Sequence, residues 1–184
     1  MDCKETQIDS ELLYDGRILQ LYRDRVQLAD GSKSDREYVH HTGGSSVLAV
    51  VDGMVYLVEQ FRYPYHEMTL EIPAGKREAH ETFEACAVRE LQEEVGLIAS
   101  ELWDLGVIYP TPAYTDEPLH IYLCTACKQS QNHLDEHELL NVRVMSLADV
   151  ILAVRQNRIR DAKTVVALMR YQAGCYGDPS TRIL

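Results

Sequence analysis

The chain has 184 residues, 46% hydrophobic and 26% charged, enough for one sizeable core and ordinary for a globular protein. Its 29 acidic residues against 18 lysines and arginines leave a net charge of -11, and no basic block offsets it, which argues against nonspecific binding to nucleic acid or an anionic membrane. No apolar run approaches the roughly 20 residues that cross a bilayer, and the acidic, polar opening MDCKETQIDSELL is unlike a signal peptide, so a cytoplasmic location is expected.

Along the chain, Glu11 to Tyr14, Arg17 to Leu28 and Arg36 to His41 read as short extended segments, with hairpin signals at Asp15-Gly16 and Asp30-Gly31. Ser45 to Val51 and Met54 to Phe61 make a further hairpin pattern around Asp52-Gly53, followed by an extended Met68 to Ile72. Next comes a helix from about Phe83 to Val95. Thr82 is its N-cap, Glu84 suits its first turn, Phe83, Ala87, Leu91 and Val95 recur with helical spacing on the inward side, and Gly96 ends it. Leu102 to Tyr109, Glu117 to Thr125 and Leu139 to Met145 are extended, after which Ser146 caps a helix through about Gln156 and Asp161 caps another. On that last helix Val165, Leu168 and Met169 form the apolar side. Strands first and helices interspersed later, with no repeat or long linker, predict an α+β fold or an α/β/α sandwich.

Five cysteines in no regular framework suit a reducing compartment. Cys124 and Cys127 form a CxxC with His133 and His137 nearby, but they fall in an alternating strand, so their side chains are expected on opposite faces and the cysteines are read as structural.

The chemistry is concentrated between Gly75 and Leu97. Glu90, Glu93 and Glu94 stand beside Arg89 at helical spacings that put all three carboxylates close together on one face, and Glu81 lies just before the helix start. Like charges at these spacings destabilise a helix unless a cation offsets them. Hard divalent ions prefer carboxylate oxygens, and Mg2+ in particular is held by a few carboxylates plus substrate phosphates. A phosphorylated small molecule is therefore the expected partner.

This segment resembles the box of the Nudix hydrolases, which reads G, five residues, E, seven residues, R-E-aliphatic, one residue, E-E, one residue, G-aliphatic. Gly75, Glu81, Arg89, Glu90, Leu91, Glu93, Glu94, Gly96 and Leu97 meet every fixed position. The resemblance covers roughly Ser45 to Met169 and implies a mixed sheet sandwiched between helices. It divides the chain into a β-rich segment, 1–43, of the kind that builds a homodimer in the ADP-ribose pyrophosphatase branch, and a hydrolase domain, 44–184. That branch is further resembled by Glu59-Gln60-Phe61-Arg62-Tyr63, by Glu71-Ile72-Pro73-Ala74-Gly75-Lys76, and by Asp161-Ala162-Lys163-Thr164. The loop from Tyr109 to Glu117 carries Pro112 sixteen residues beyond Gly96, with Thr111-Pro112-Ala113 where the branch usually has Ser-Pro-Gly. Tyr114 is the feature shared instead with diadenosine polyphosphate hydrolases.

The resemblance implies Mg2+, or alternatively Mn2+, held by Glu90, Glu93, Glu94 and the backbone carbonyl of Ala74, with Glu93 and Glu94 at the catalytic centre. Arg89 would orient Glu81 or Glu93, while Gly75, Glu81 and Gly96 support the loop and helix end. The general base falls to Glu136, with Glu138 as the alternative, both in the acidic stretch Leu134 to Glu138. Arg62, Pro112 and Tyr114 would contact substrate, adenine would stack on Tyr22, Tyr38 or Tyr114, and His120 reads as a buried or cross-strand histidine. The implied reaction is hydrolysis of ADP-ribose to AMP and ribose 5-phosphate. GDP-mannose, a diadenosine polyphosphate, or noncatalytic nucleotide sensing are the alternatives.

Overall fold

The computed structural model describes residues 3–134 and 139–184. These separate into two compact units, one of residues 3–42 with 109–118 and one of residues 43–108 with 119–134 and 139–184.

In the first unit, β1 (Thr6–Asp15), β2 (Gln20–Gln27) and β3 (Lys33–His40) form an antiparallel sheet in chain order. The loop 109–118 belongs to it because Val39 donates to the Tyr114 carbonyl at 2.8 Å, while the Asp116 carboxylate takes the His41 amide at 2.9 Å and the His40 Nδ1 at 2.6 Å. Strand β1 is exposed along its whole length.

The second unit is a sandwich. Its strands are β4 (Gly44–Val51), β5 (Met54–Arg62), β6 (Glu67–Glu71), β7 (Ala74–Lys76), β8 (Leu97–Ile108), β9 (Leu119–Gln129) and β10 (Leu140–Ser146). The sheet runs β10-β5-β4-β9-β8, with β6 on β5 and β7 on β4. Only β4 and β9 pair in parallel, which makes the sheet mixed. Helix α1 (Phe83–Val95) covers one face through Ala87, Leu91 and Val95, packed on Val47, Ala49, Val58, Leu102 and Tyr122. Helices α2 (Leu147–Arg155) and α3 (Ala162–Gln172) belong to the other core cluster, where Val150, Ala153, Ala167 and Leu168 meet Leu48, Val50, Leu57 and Leu123. Strand β4 shows why. Its residues are apolar at successive positions because a strand covered on both sides buries both sets of side chains.

The predicted caps all act. Thr82 accepts from the Ala85 amide at 3.1 Å, Ser146 from Asp149 and Asp161 from Thr164. Gly96 ends α1 at φ 67°, where an added Cβ would also stand 2.8 Å from the Ser130 carbonyl oxygen. Two expectations are overturned. Met169, expected with Leu168 on the apolar side of α3, is 58% exposed, because the helix buries Lys163, Thr164, Ala167 and Leu168. Leu102 faces Cys124 but Glu101 faces Ala126, so Thr125 is an extra residue in β9, and this β-bulge reverses the alternation. Cys127 consequently packs against the same cluster as Cys124.

Leu91 is fully buried where α1 meets the sheet. Leu91→Ala is expected to cost about 2–5 kcal/mol, read as a lower urea midpoint at unchanged slope.

Candidate active site

Helix α1 carries the acidic cluster on its last two turns, and Arg89 organises it. The Arg89 guanidinium binds Glu81 through Nε at 2.9 Å and Nη2 at 3.1 Å. Its Nη1 serves two carboxylates at once, Glu90 at 2.6 Å and Glu93 at 2.9 Å. A fourth partner is the Lys76 carbonyl, at 3.2 Å. These bonds, Glu81 first, push Arg89 further above its ordinary range and hold Glu81 below the usual carboxylate range. Arg89 was expected to hold Glu81 or Glu93; it holds both, and Glu90 as well. It is thus the protein's own counter-ion for a helix end that like charges would otherwise destabilise.

Strand β7 lies against this helix end. Gly75 leaves room there for the Glu90 carboxylate, because a Cβ on it would stand 1.8 Å from the carboxylate oxygen and would displace it. Glu94, only 1% exposed, accepts the Ala74 amide at 2.8 Å. Cys86 donates to the Gly75 carbonyl at 3.6 Å, and burial pushes its thiol up to about 11. The three carboxylates are hard oxygen donors packed around one loop, the chemistry a Mg2+ or Mn2+ ion requires. Their oxygens are turned onto Arg89 and Ala74, and among the described residues no three acidic, histidine or cysteine side chains point at one common centre. A cleft of about 630 Å³ runs along another side of α1, lined by Val88, Arg89, Gln92, Glu93, His133 and Leu184; Glu90, Glu94 and Ala74 do not line it.

A second cluster escaped the sequence reading. Glu71, 2% exposed at the end of β6, accepts both prongs of the Arg62 guanidinium at 2.7 and 2.6 Å, the Thr69 hydroxyl at 2.6 Å, and the Lys163 ammonium. Lys163 also donates to Asp161 at 2.9 Å. Asp161 caps α3 through Thr164, whose hydroxyl accepts the Ile72 amide at 2.9 Å. Burial opposes ionisation of Glu71, but Arg62 and Lys163 overcome it and hold the carboxyl at about 2. Arg62 is raised above its ordinary value by the Glu71 bond, and the charges of Asp161 and Glu94 reach it too. Arg62, Glu71, Asp161 and Lys163 were all in view as marks of resemblance. The available signal was that Glu71 and Lys163 are charged within runs that otherwise face the core.

The remaining candidates divide between the two units. Pro112 and Tyr114 lie in the loop of the first unit, where Tyr114 is exposed and its amide bonds to the Thr111 carbonyl at 3.2 Å. Tyr22 and Tyr38 stack on each other with centroids 5.5 Å apart. His120 stacks on Phe83 at 3.9 Å, and burial lowers its pKa. Glu136 and Glu138 lie outside the described residues.

Comparison with known proteins fits this arrangement. The NUDIX domain family matches residues 40–168, which include the whole helix and its loop. The chain belongs to the Nudix family. Residues 5–39 match a second family, described as the nucleoside diphosphate sugar hydrolase N-terminal domain. An ADP-ribose pyrophosphatase of Bacillus subtilis (strain 168) is 37% identical over 172 residues, 92% of this chain and 93% of that one. A methanol dehydrogenase activator of Bacillus methanolicus is 34% identical over the same shares. A crystal structure of an ADP compounds hydrolase has the same fold, with a TM-score of 0.80 at 22% identity over 92% of this chain and 93% of that one. The Nudix box is therefore the part of the sequence that assembles Arg89 and its carboxylates.

Because the Glu71 carboxyl is held at about 2 against an ordinary 4.5, its stabilisation is complete above the unfolded value and is lost as pH falls through about 2. Glu71→Gln is expected to melt lower at neutral pH and to lose less stability than the wild type between pH 4.5 and 2. Parallel melting-versus-pH curves would remove Glu71 from the acid response.

Proposed function

We propose that this Nudix enzyme hydrolyses the diphosphate linkage of ADP-ribose, releasing AMP and ribose 5-phosphate, with Mg2+ or Mn2+ as its cofactor. The observation that carries the reading is the end of α1, where Glu90 and Glu93 are gathered on Arg89, Glu94 is bonded to the Ala74 amide, and Glu90 lies against Gly75. Choice of substrate leans on the Bacillus subtilis relative and on the N-terminal family match.

The three glutamates and the Ala74 carbonyl would hold the cation. Bound there, it neutralises phosphate oxygens and lowers the pKa of water. The chain's own contribution is placement. Gly75 lets the Glu90 carboxylate lie directly on the loop, the Ala74 amide fixes Glu94, and Arg89 keeps Glu90 and Glu93 from splaying apart. Arg62, Pro112 and Tyr114 contact the substrate in this reading. Glu136, or Glu138 beside it, takes the proton of the attacking water as the bridging P–O bond breaks and the departing phosphate accepts a proton in turn.

Incubation with ADP-ribose, GDP-mannose and diadenosine polyphosphates in Mg2+, with product separation, is expected to give AMP and ribose 5-phosphate most rapidly from the first. No turnover of any of the three would sink the enzymatic reading. Glu94→Gln should abolish most activity without loss of fold. Glu136→Gln should lower the rate about 10²- to 10⁴-fold if it is the base, and a loss below about tenfold would assign that role elsewhere. The relative named as a methanol dehydrogenase activator favours, as a second reading, an action on a partner enzyme. Retention of every carboxylate of the box weighs for catalysis.

The chain would work as a cytoplasmic homodimer. Strand β1 and its turn leave Ile8, Leu12, Tyr14 and Ile18 exposed, Leu12 by 45% and Ile18 by 68%, a set of apolar side chains that a second copy would cover. Sedimentation should give a dimer of the 21.0 kDa chain, and Leu12→Asp should shift it to monomer. A wild-type monomer at all concentrations would exclude this assembly.

A further inference from the structure

The buried Lys163 has no part in the reading above. It sits in the first turn of α3, 8% exposed, with its ammonium between Glu71 and Asp161. A buried lysine loses solvation and rotamer freedom, so its place in a tight network needs a reason. Its two acceptors differ. The Asp161 charge is largely answered by α3 itself, since the carboxylate accepts the Thr164 amide and hydroxyl at the positive end of the helix. The Glu71 charge is answered by Arg62 and Lys163.

Without Lys163, Glu71 would place its full negative charge on Arg62. That guanidinium would then be oriented but electrically spent. With Lys163 present, the Glu71 carboxylate is shared between two cations, and Arg62 retains net positive field. The Arg62 side chain is 42% exposed, and its bonds to Glu71 run through Nε and Nη2. It also lies near enough to the box for the charge of Glu94 to reach it.

We propose that Lys163 is a positioning residue for anion binding: by offsetting the charge of Glu71 it leaves Arg62, fixed in one orientation by that same carboxylate, with its charge available to a diphosphate. This rests on the diphosphate reading of the site. It differs from a stabilising ion pair in acting through Arg62.

The test is a double-substitution cycle. It is read by calorimetric binding of inorganic pyrophosphate and by KM and kcat for ADP-ribose. Lys163→Met keeps the buried stem and removes the charge. It is expected to weaken pyrophosphate binding by about tenfold or more and to raise KM in proportion, with kcat within about twofold of wild type. Arg62→Ala should lose at least as much, and adding Lys163→Met to it should cost nothing further. Lys163→Gln keeps a donor for Glu71 without the charge, and serves if thermal melting shows the Met variant unfolded. Unchanged pyrophosphate affinity in a folded variant, or the full loss retained in the Arg62→Ala background, overturns the role. A wild-type chain that binds no pyrophosphate overturns it as well, and unfolding of both variants marks Lys163 as a stability residue instead. Pyrophosphate binding without ADP-ribose turnover defeats only the proposed substrate, and the binding cycle still decides on Lys163.

Discussion

One guanidinium holds the site together. Arg89 is shared by Glu81, Glu90 and Glu93, so the loop before α1, the helix itself and the strand at Lys76 are tied to a single planar group. A lysine could not do this, because a compact ammonium lacks the fork that reaches several carboxylates in fixed directions. The acidic helix end is tolerable because this cation is built into it. The glycine at position 75 serves the same packing, since a side chain there would displace the Glu90 carboxylate that Arg89 holds.

The second charged cluster supports the first from behind. Pro73, between Ile72 and Ala74, has its carbonyl bonded to the Val47 amide at 2.9 Å, and Ile72 is bonded to Thr164 of α3. The backbone that presents Ala74 and Gly75 is therefore fixed from the sheet on one side and from the last helix on the other. Electrostatics and backbone bonding reinforce each other here. Glu71, Arg62, Lys163 and Asp161 bring two negative and two positive charges together, and three of the four are engaged by more than one partner.

Much of this was legible before any coordinates. Periodicity and caps placed α1 at Phe83–Val95, and they placed the starts of α2 and α3, because hydrophobic spacing and N-cap chemistry are local. Glu90, Glu93 and Glu94 were readable as one face for the same reason, since i, i+3 and i+4 neighbours on a helix meet, whereas the Arg89–Glu90 bond between adjacent residues falls outside that rule. What could not be read was non-local or exceptional. The Glu71–Lys163 pair joins residues far apart in the chain, and no periodicity reports such a meeting. The Thr125 bulge broke the alternation on which the two cysteines were assigned to opposite faces. Strand β7 is only three residues long, and its identity comes from pairing with Gly44, Ser45 and Ser46 rather than from its composition.

The parallel pairing of β4 with β9 bears on how the molecule comes into being. These two strands form the middle of the sheet, and α1 with its acidic end lies wholly in the connection between them. Parallel neighbours need a long crossover, and loop closure must precede the contacts that reward it. The central sheet therefore cannot close until the box has been made, and closing it is what seats α1 on Val47 and Ala49. The packing of α1 on the sheet and the placement of its acidic end are thus coupled through one crossover.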